Sequence, residues 1–162
     1  MALGSMDETN RRFLKACRIA IQVVGWLITA GGVVSTVMAC VGVAQPPGLG
    51  FRLMALSRGA GTVVFGIIAL GLAQLIRFLL ADAAKPGWIL RHGDMFLYLY
   101  AATEVLAQLA NQSVIAAHLG DRWLVPFAAS VPFSLAKALV LIGLGLVLRR
   151  VIPMAEESKT LV

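Results

Sequence analysis

Residues 135–148 read LAKALVLIGLGLVL, and residues 63–76 read VVFGIIALGLAQLI. Both runs are continuously apolar. A membrane β-barrel would show short segments of alternating polarity instead, so these runs select helices. Around them the apolar character extends to the roughly 20 residues that a helix needs to cross the hydrocarbon core. Segments of this kind are predicted at 18–44, 59–81, 95–118 and 124–152. They occupy most of the chain and leave no length for a separate soluble domain. The expected fold is a single all-α domain over 1–162, an integral membrane bundle of four transmembrane helices.

Composition points the same way. Of 162 residues, 59% are apolar and 14% are charged, whereas about a quarter of a soluble domain is charged. The mean hydropathy is +0.86. The surplus of apolar side chains belongs in lipid.

The run 135–148 is interrupted by one lysine, Lys137, and an isolated charge in lipid needs a partner. The segment 101–118, AATEVLAQLANQSVIAAH, contains a candidate. Glu104, Gln108 and Gln112 follow one another at four-residue steps, with Asn111 three beyond Gln108, so all four share one side of a helix. Ser130, Ser134 and Lys137 share a face in the same way. At 1.5 Å per residue, Glu104 lies about 14 Å from Met95 and Lys137 about 20 Å from Arg150. Both therefore fall near mid-membrane on two helices joined by a short connection, which makes them antiparallel neighbours. A lone charge at this depth costs some 2.5–3.5 kcal/mol on insertion scales. Facing each other reduces that cost; losing the charge through a shifted pKa is the alternative. The predicted site is a polar seam of Glu104, Gln108, Asn111, Gln112, Ser130, Ser134 and Lys137. It either fixes which helices pack or lines a proton or solute path.

Two stripes of small residues predict a second contact. Gly25, Thr29, Gly32 and Thr36 recur on the first helix, and Thr62, Gly66, Ala69 and Ala73 on the second. Small side chains let membrane helices approach closely where hydrophobicity supplies no drive. Beyond the helices, Pro46–Pro47 stops the first and the apolar FRLMAL portion lies in the interface. Pro86–Gly87 makes a turn, Trp88, Tyr98 and Tyr100 suit the headgroup layer, and Pro132 bends the fourth helix.

Arg11, Arg12, Lys15, Arg18, Arg77, Lys85, Arg91, Arg149, Arg150 and Lys159 all fall on one side of this topology. Only Arg52, Arg58 and Arg122 fall on the other. The positive-inside rule then makes both termini cytoplasmic in a multi-pass protein of the cell's inner (plasma) membrane. The net charge of +6 is spread along membrane borders where anionic headgroups lie, so the partner expected first is the lipid bilayer and not nucleic acid.

Other classes find little in the chain. The N-terminal apolar run outlasts the 7–15 residues of a signal-peptide core and continues past Cys40, so it is read as a span. Cys17 and Cys40 sit near opposite ends of that span, about 34 Å apart as a helix, too far for a disulfide. His92 and His118 fall on opposite sides of the membrane and cannot share a metal, and no HExxH, GxSxG, CxxC or phosphate-loop motif occurs. No enzyme activity, metal or cofactor is expected. The closing Thr160-Leu161-Val162, if extended, suits strand addition to a PDZ-type groove.

The stretch IALGLAQLIRFLLADAAKPGWILRHGDMFLYLYAATEVL, with the closing LIGLGLVLRRVIPMAEESKTLV, resembles small four-helix bacterial membrane proteins grouped as a domain of unknown function. The likeness covers about residues 60–162 and consists of hydropathy and loop lengths. Where that group usually carries a phenylalanine–serine pair in the loop, this chain has Trp88-Ile89. The resemblance implies a four-helix topology and a bacterial plasma membrane. The expected function is that of an accessory or scaffold subunit that packs with other membrane proteins or as a homo-oligomer. The alternative is a proton-linked transporter or channel component working through Glu104 and Lys137.

Overall fold

The computed structural model describes residues 2–42, 48–80, 85–119 and 124–160. Helices follow one another along the chain: α1 (Ala2–Val41), α2 (Leu49–Leu79), α3 (Trp88–Arg91), α4 (Gly93–Leu119) and α5 (Leu124–Thr160). There is no strand among the described residues. The expected Pro46–Pro47 stop, Arg122 and the final Leu161-Val162 lie outside them.

Three helices are long and apolar enough to cross a membrane, over Asn10–Val41, Leu49–Phe78 and Ser130–Ala155. The fourth, α4, matches them in length at 27 residues. Its row of Glu104, Gln108, Asn111 and Gln112 holds its hydropathy below theirs. The fold is all-helical with three candidate membrane-crossing helices, rather than four equivalent ones.

The helix boundaries also move. α1 runs unbroken from Ala2, so residues before the predicted start at 18 extend it, and Glu8 pairs with Arg12 at 2.8 Å on the exposed first turns. It ends at Gly42, whose φ of +75° is the left-handed conformation that glycine tolerates after a helix. α2 starts ten residues before its predicted position, because FRLMALSR is helical and does not lie as an interfacial loop. α5 continues through Pro132 and Pro153 as far as Thr160. Each proline removes one backbone donor, but the rest of a long helix absorbs that loss. ESKT is therefore helical, and strand addition at this terminus would first require it to unwind.

The helices stand in an open row. α1 packs on α2, α2 on α4 and α4 on α5, with α3 tucked against α2 and α4. Among the described residues no extensive contact joins α1 to α4 or α5, or α2 to α5. In water such a row would close to hide apolar faces. In lipid that drive is missing, and helices associate only where shape or polarity draws them together.

The α1–α2 contact is set by shape. A methyl added at Gly32 would fall 2.6 Å from the Val63 amide nitrogen, and one at Gly66 would fall 2.7 Å from that of Thr29. The hydroxyls of Thr29 and Thr36 donate to the carbonyls of Gly25 and Gly32, each at 2.8 Å, so they leave no polar demand at the contact. On α1 the expected stripe is the contact. On α2 the contact includes Gly66 but otherwise runs through Gly59, Val63 and Leu70. Ala73 is buried and Ala69 half-buried. Thr62 turns its exposed side chain elsewhere and donates to the Arg58 carbonyl at 2.9 Å. The reason is complementarity. Glycines 25 and 32 make the hollows, and the branched side chains of Leu70 and Val63 fill them.

Candidate functional site: a polar cleft between α2, α4 and α5

α4 carries the site because its two neighbours grip different sides of it. α2 lies against Thr103, since a methyl on Gly61 would be 3.2 Å from the Thr103 hydroxyl. α5 meets α4 through Glu104 and Gln112. α2 and α5 converge at the α3 end, where Phe78, Leu90 and Ile152 bury one another with Leu75, Leu148 and Ala155 around them. Gln74 secures that corner by accepting a hydrogen bond from the Leu90 amide at 3.3 Å. Away from the corner, α4 is the floor of a cleft.

Lys137 Nζ donates to Glu104 Oε2 at 2.8 Å, so the expected pair of charges is in contact. The ammonium also lies 5.4 Å from the centre of the Tyr100 ring, within range of a cation–π attraction. Tyr100 in turn stacks obliquely on Phe65, with ring centres 5.6 Å apart. The pair is not sealed: the Lys137 and Glu104 side chains remain 42% and 31% exposed.

Further along α4, Gln112 Nε2 donates to the Ser130 hydroxyl at 2.6 Å. Gln108 and Ser134 are bracketed by these two bonds but not bonded to each other. Gln108 Nε2 and Gln112 Oε1 are buried with no hydrogen-bond partner among the described residues. A buried orphan of this type costs about 1–3 kcal/mol. Asn111, half-buried, makes no side-chain hydrogen bond among the described residues. The predicted seam is thus brought together at Glu104–Lys137 and at Gln112–Ser130, and is left open between them.

Several residues of the cleft escape the sequence reading. A hollow of about 260 Å³ is lined by Ser57, Arg58, Thr62 and Phe65 from α2 and by Tyr100, Thr103 and Glu104 from α4. Arg58 is the largest change. Placed in an outer loop by the sequence, it lies nine residues inside α2 and lines the same hollow as Glu104. The signal for it was FRLMAL: counting those apolar residues as helix turns Arg58 into an intramembrane charge. Tyr100, assigned to the headgroup layer, precedes Glu104 by one helical turn and belongs to the hollow. Tyr98 instead packs on Gly145, where a methyl would lie 2.6 Å from its ring. Below Phe65 and Tyr100 follows an apolar crevice of about 240 Å³ whose walls include Ile68, Leu72, Phe96, Leu97, Leu144 and Leu148.

The α3 end of the molecule is basic. Arg18 and Arg77 share one hollow there, and Arg91, His92 and Arg149 share another. Trp88 stacks against His92 and Phe96, with ring centres 5.0 Å and 5.9 Å apart. The side chain of His118 lies outside the described residues.

These features define an all-helical chain with three helices suited to a membrane and a part-open ion pair between two of its rods. No protein-family model matches the chain, and neither does any curated protein or solved structure. The resemblance to small bacterial four-helix proteins remains a likeness of hydropathy and loop length.

Proposed function

We propose that this chain is a multi-pass protein of the bacterial plasma membrane that acts by packing against other membrane proteins or copies of itself. One observation carries the reading. Glu104 and Lys137 meet at mid-helix in a cleft that α2 and α5 leave open, and each keeps about a third or more of its surface uncovered. Charges exposed to hydrocarbon are costly, and a protein surface laid over the cleft removes that cost. The open row supports the same reading, since it leaves faces of α4 and α5 uncovered by the rest of the described chain. The basic α3 end, where the first turns of α1 and the last turns of α5 also lie, is the cytoplasmic one under the positive-inside rule.

The test is assembly in mild detergent after gentle extraction from the native membrane. Wild-type protein should migrate as a complex and form chemical cross-links. Glu104→Gln should reduce both while the monomer stays helical. An unchanged complex in Glu104→Gln would refute the role assigned to the pair.

A second reading, a proton-linked carrier or channel component, draws on the unpartnered Gln108 Nε2 and Gln112 Oε1. They continue the polar row from the ion pair along α4. It requires ion flux in proteoliposomes that Glu104→Gln abolishes without loss of assembly.

A further inference from the structure

The charges of the cleft do not balance. Arg58 and Lys137 are cationic; among the described residues Glu104 is the carboxylate that shares a hollow with Arg58 and pairs with Lys137. Glu104 is already held by Lys137 at 2.8 Å. Arg58 is exposed and has no ion-pair partner among the described residues. A lysine so placed could shed its proton, but a guanidinium stays charged and is best satisfied by two parallel hydrogen bonds to a carboxylate.

This chain cannot readily supply that carboxylate from a second copy. Its other acids are Asp7, Glu8, Asp82, Asp94, Asp121, Glu156 and Glu157. Asp7, Glu8 and Asp94 lie at helix starts, Glu156 and Glu157 follow Arg149–Arg150 near the end of α5, and Asp82 and Asp121 fall between helices. None lies in the middle of an apolar run. A second copy would have to offer its own Glu104 and thereby strip its own Lys137.

We propose that the α2–α4–α5 cleft receives a membrane-spanning helix of a different protein, one that carries an aspartate or glutamate at the depth of Arg58. The opening lies where α2 and α5 fail to meet, so a rod can enter alongside α4 from the lipid. Its carboxylate pairs with Arg58, next to the hydroxyls of Ser57 and Thr62, and its apolar side chains continue over Phe65 towards the crevice at Leu72 and Leu144. Opposite charges then neutralise each other inside the membrane, and partners lacking the acid are rejected because Arg58 stays unpaired. This inference rests on the packing role proposed above and names the partner's chemistry.

The experiment uses the full chain in zwitterionic vesicles, with a donor fluorophore on Cys40 and Cys17 replaced by serine. The probe is an acceptor-labelled leucine–alanine transmembrane peptide with one glutamate at the matching depth, compared with its glutamine counterpart. Energy transfer should show the glutamate peptide binding at least about tenfold more tightly. Arg58→Gln should bring it down to the glutamine level, and Arg58→Glu should restore binding to a lysine-bearing peptide. Equal transfer for the glutamate and glutamine peptides overturns the proposal. So does a glutamate preference that survives Arg58→Gln. If phosphatidylglycerol added to the vesicles abolishes the preference, Arg58 is a lipid-phosphate site and the helix partner is wrong. Cross-linking of the native complex is scored in parallel. Its loss with the glutamate preference intact would refute the packing role alone, and its persistence without that preference would refute this inference alone.

Discussion

The α1–α2 contact and the α4–α5 contact join antiparallel helices of similar length, yet different forces hold them. Between α1 and α2 the glycines bring backbones together and the threonine hydroxyls are satisfied within their own helix, while Arg18 and Arg77 share a hollow at the basic end of the contact. Between α4 and α5 the hold is polar: an ion pair, a glutamine–serine bond and two amide atoms left unpartnered. Shape needs no outside participant to be complete. The polar contact is incomplete within the described chain, so the candidate site lies there and not at the closer contact.

The sharpest way to break this contrast is to overfill the first contact. Gly66→Leu places a branched side chain where a single methyl would already be 2.7 Å from the Thr29 nitrogen. Overpacking costs about 1–3 kcal/mol, and this position should reach the upper end. The expected result is a longer distance between spin labels on Cys40 and on a cysteine replacing Arg52, both exposed positions, with Cys17 replaced by serine and α4–α5 contacts intact.

At the second contact, Lys137→Met leaves Glu104 unpaired and should destabilise the detergent-solubilised protein by roughly 2 kcal/mol, since the pair is part-exposed and a lone charge at mid-membrane costs about 2.5–3.5 kcal/mol. Adding Glu104→Gln to the same chain should recover much of that loss. A double-mutant cycle showing no coupling would mean that the 2.8 Å contact contributes nothing.

A smaller effect is expected from Gln112→Leu. It removes the bond to Ser130 but also an orphaned carbonyl oxygen, and interhelical hydrogen bonds in membranes average about 0.6 kcal/mol. The net change in unfolding free energy should stay below about 1 kcal/mol. Last come Gly31→Ala on α1 and Gly143→Ala on α5, where an added methyl meets nothing within 4 Å. Both should be neutral or stabilising by about 0.5–1 kcal/mol, because glycine weakens a helix interior. A large loss at Gly31 would reveal a neighbour for α1 beyond α2.

Much of the fold was legible because lipid imposes a simple rule: apolar runs of sufficient length become helices. The runs at 63–76 and 135–148 state this without reference to any neighbour. The depth match of Glu104 and Lys137 was legible for a similar reason, since helical rise converts residue count into height. Arg58 was not. FRLMALSR mixes apolar and basic residues, and local composition does not say whether it lies flat or joins α2. The side chains of α2 that fill the contact were also not legible: small residues on both helices point to Thr62 and Ala69, whereas the side chains that meet glycines 32 and 25 are those of Val63 and Leu70. Complementarity is a property of pairs, and one helix read alone does not reveal it.

What the amino-acid sequence determined by itself was the medium and the rods: helices long and apolar enough for a bilayer, the heights of their charged residues and the side on which basic residues gather. Hydrophobicity and helical rise are properties of single segments, so a single segment suffices to read them. Only the tertiary structure decided that the row stays open, that Lys137 meets Glu104 while both remain part-exposed, and that Arg58 lines a hollow with Glu104. Those outcomes depend on which faces of α2, α4 and α5 come together, and in lipid that choice rests on steric fit and pairwise polarity between residues far apart in the chain.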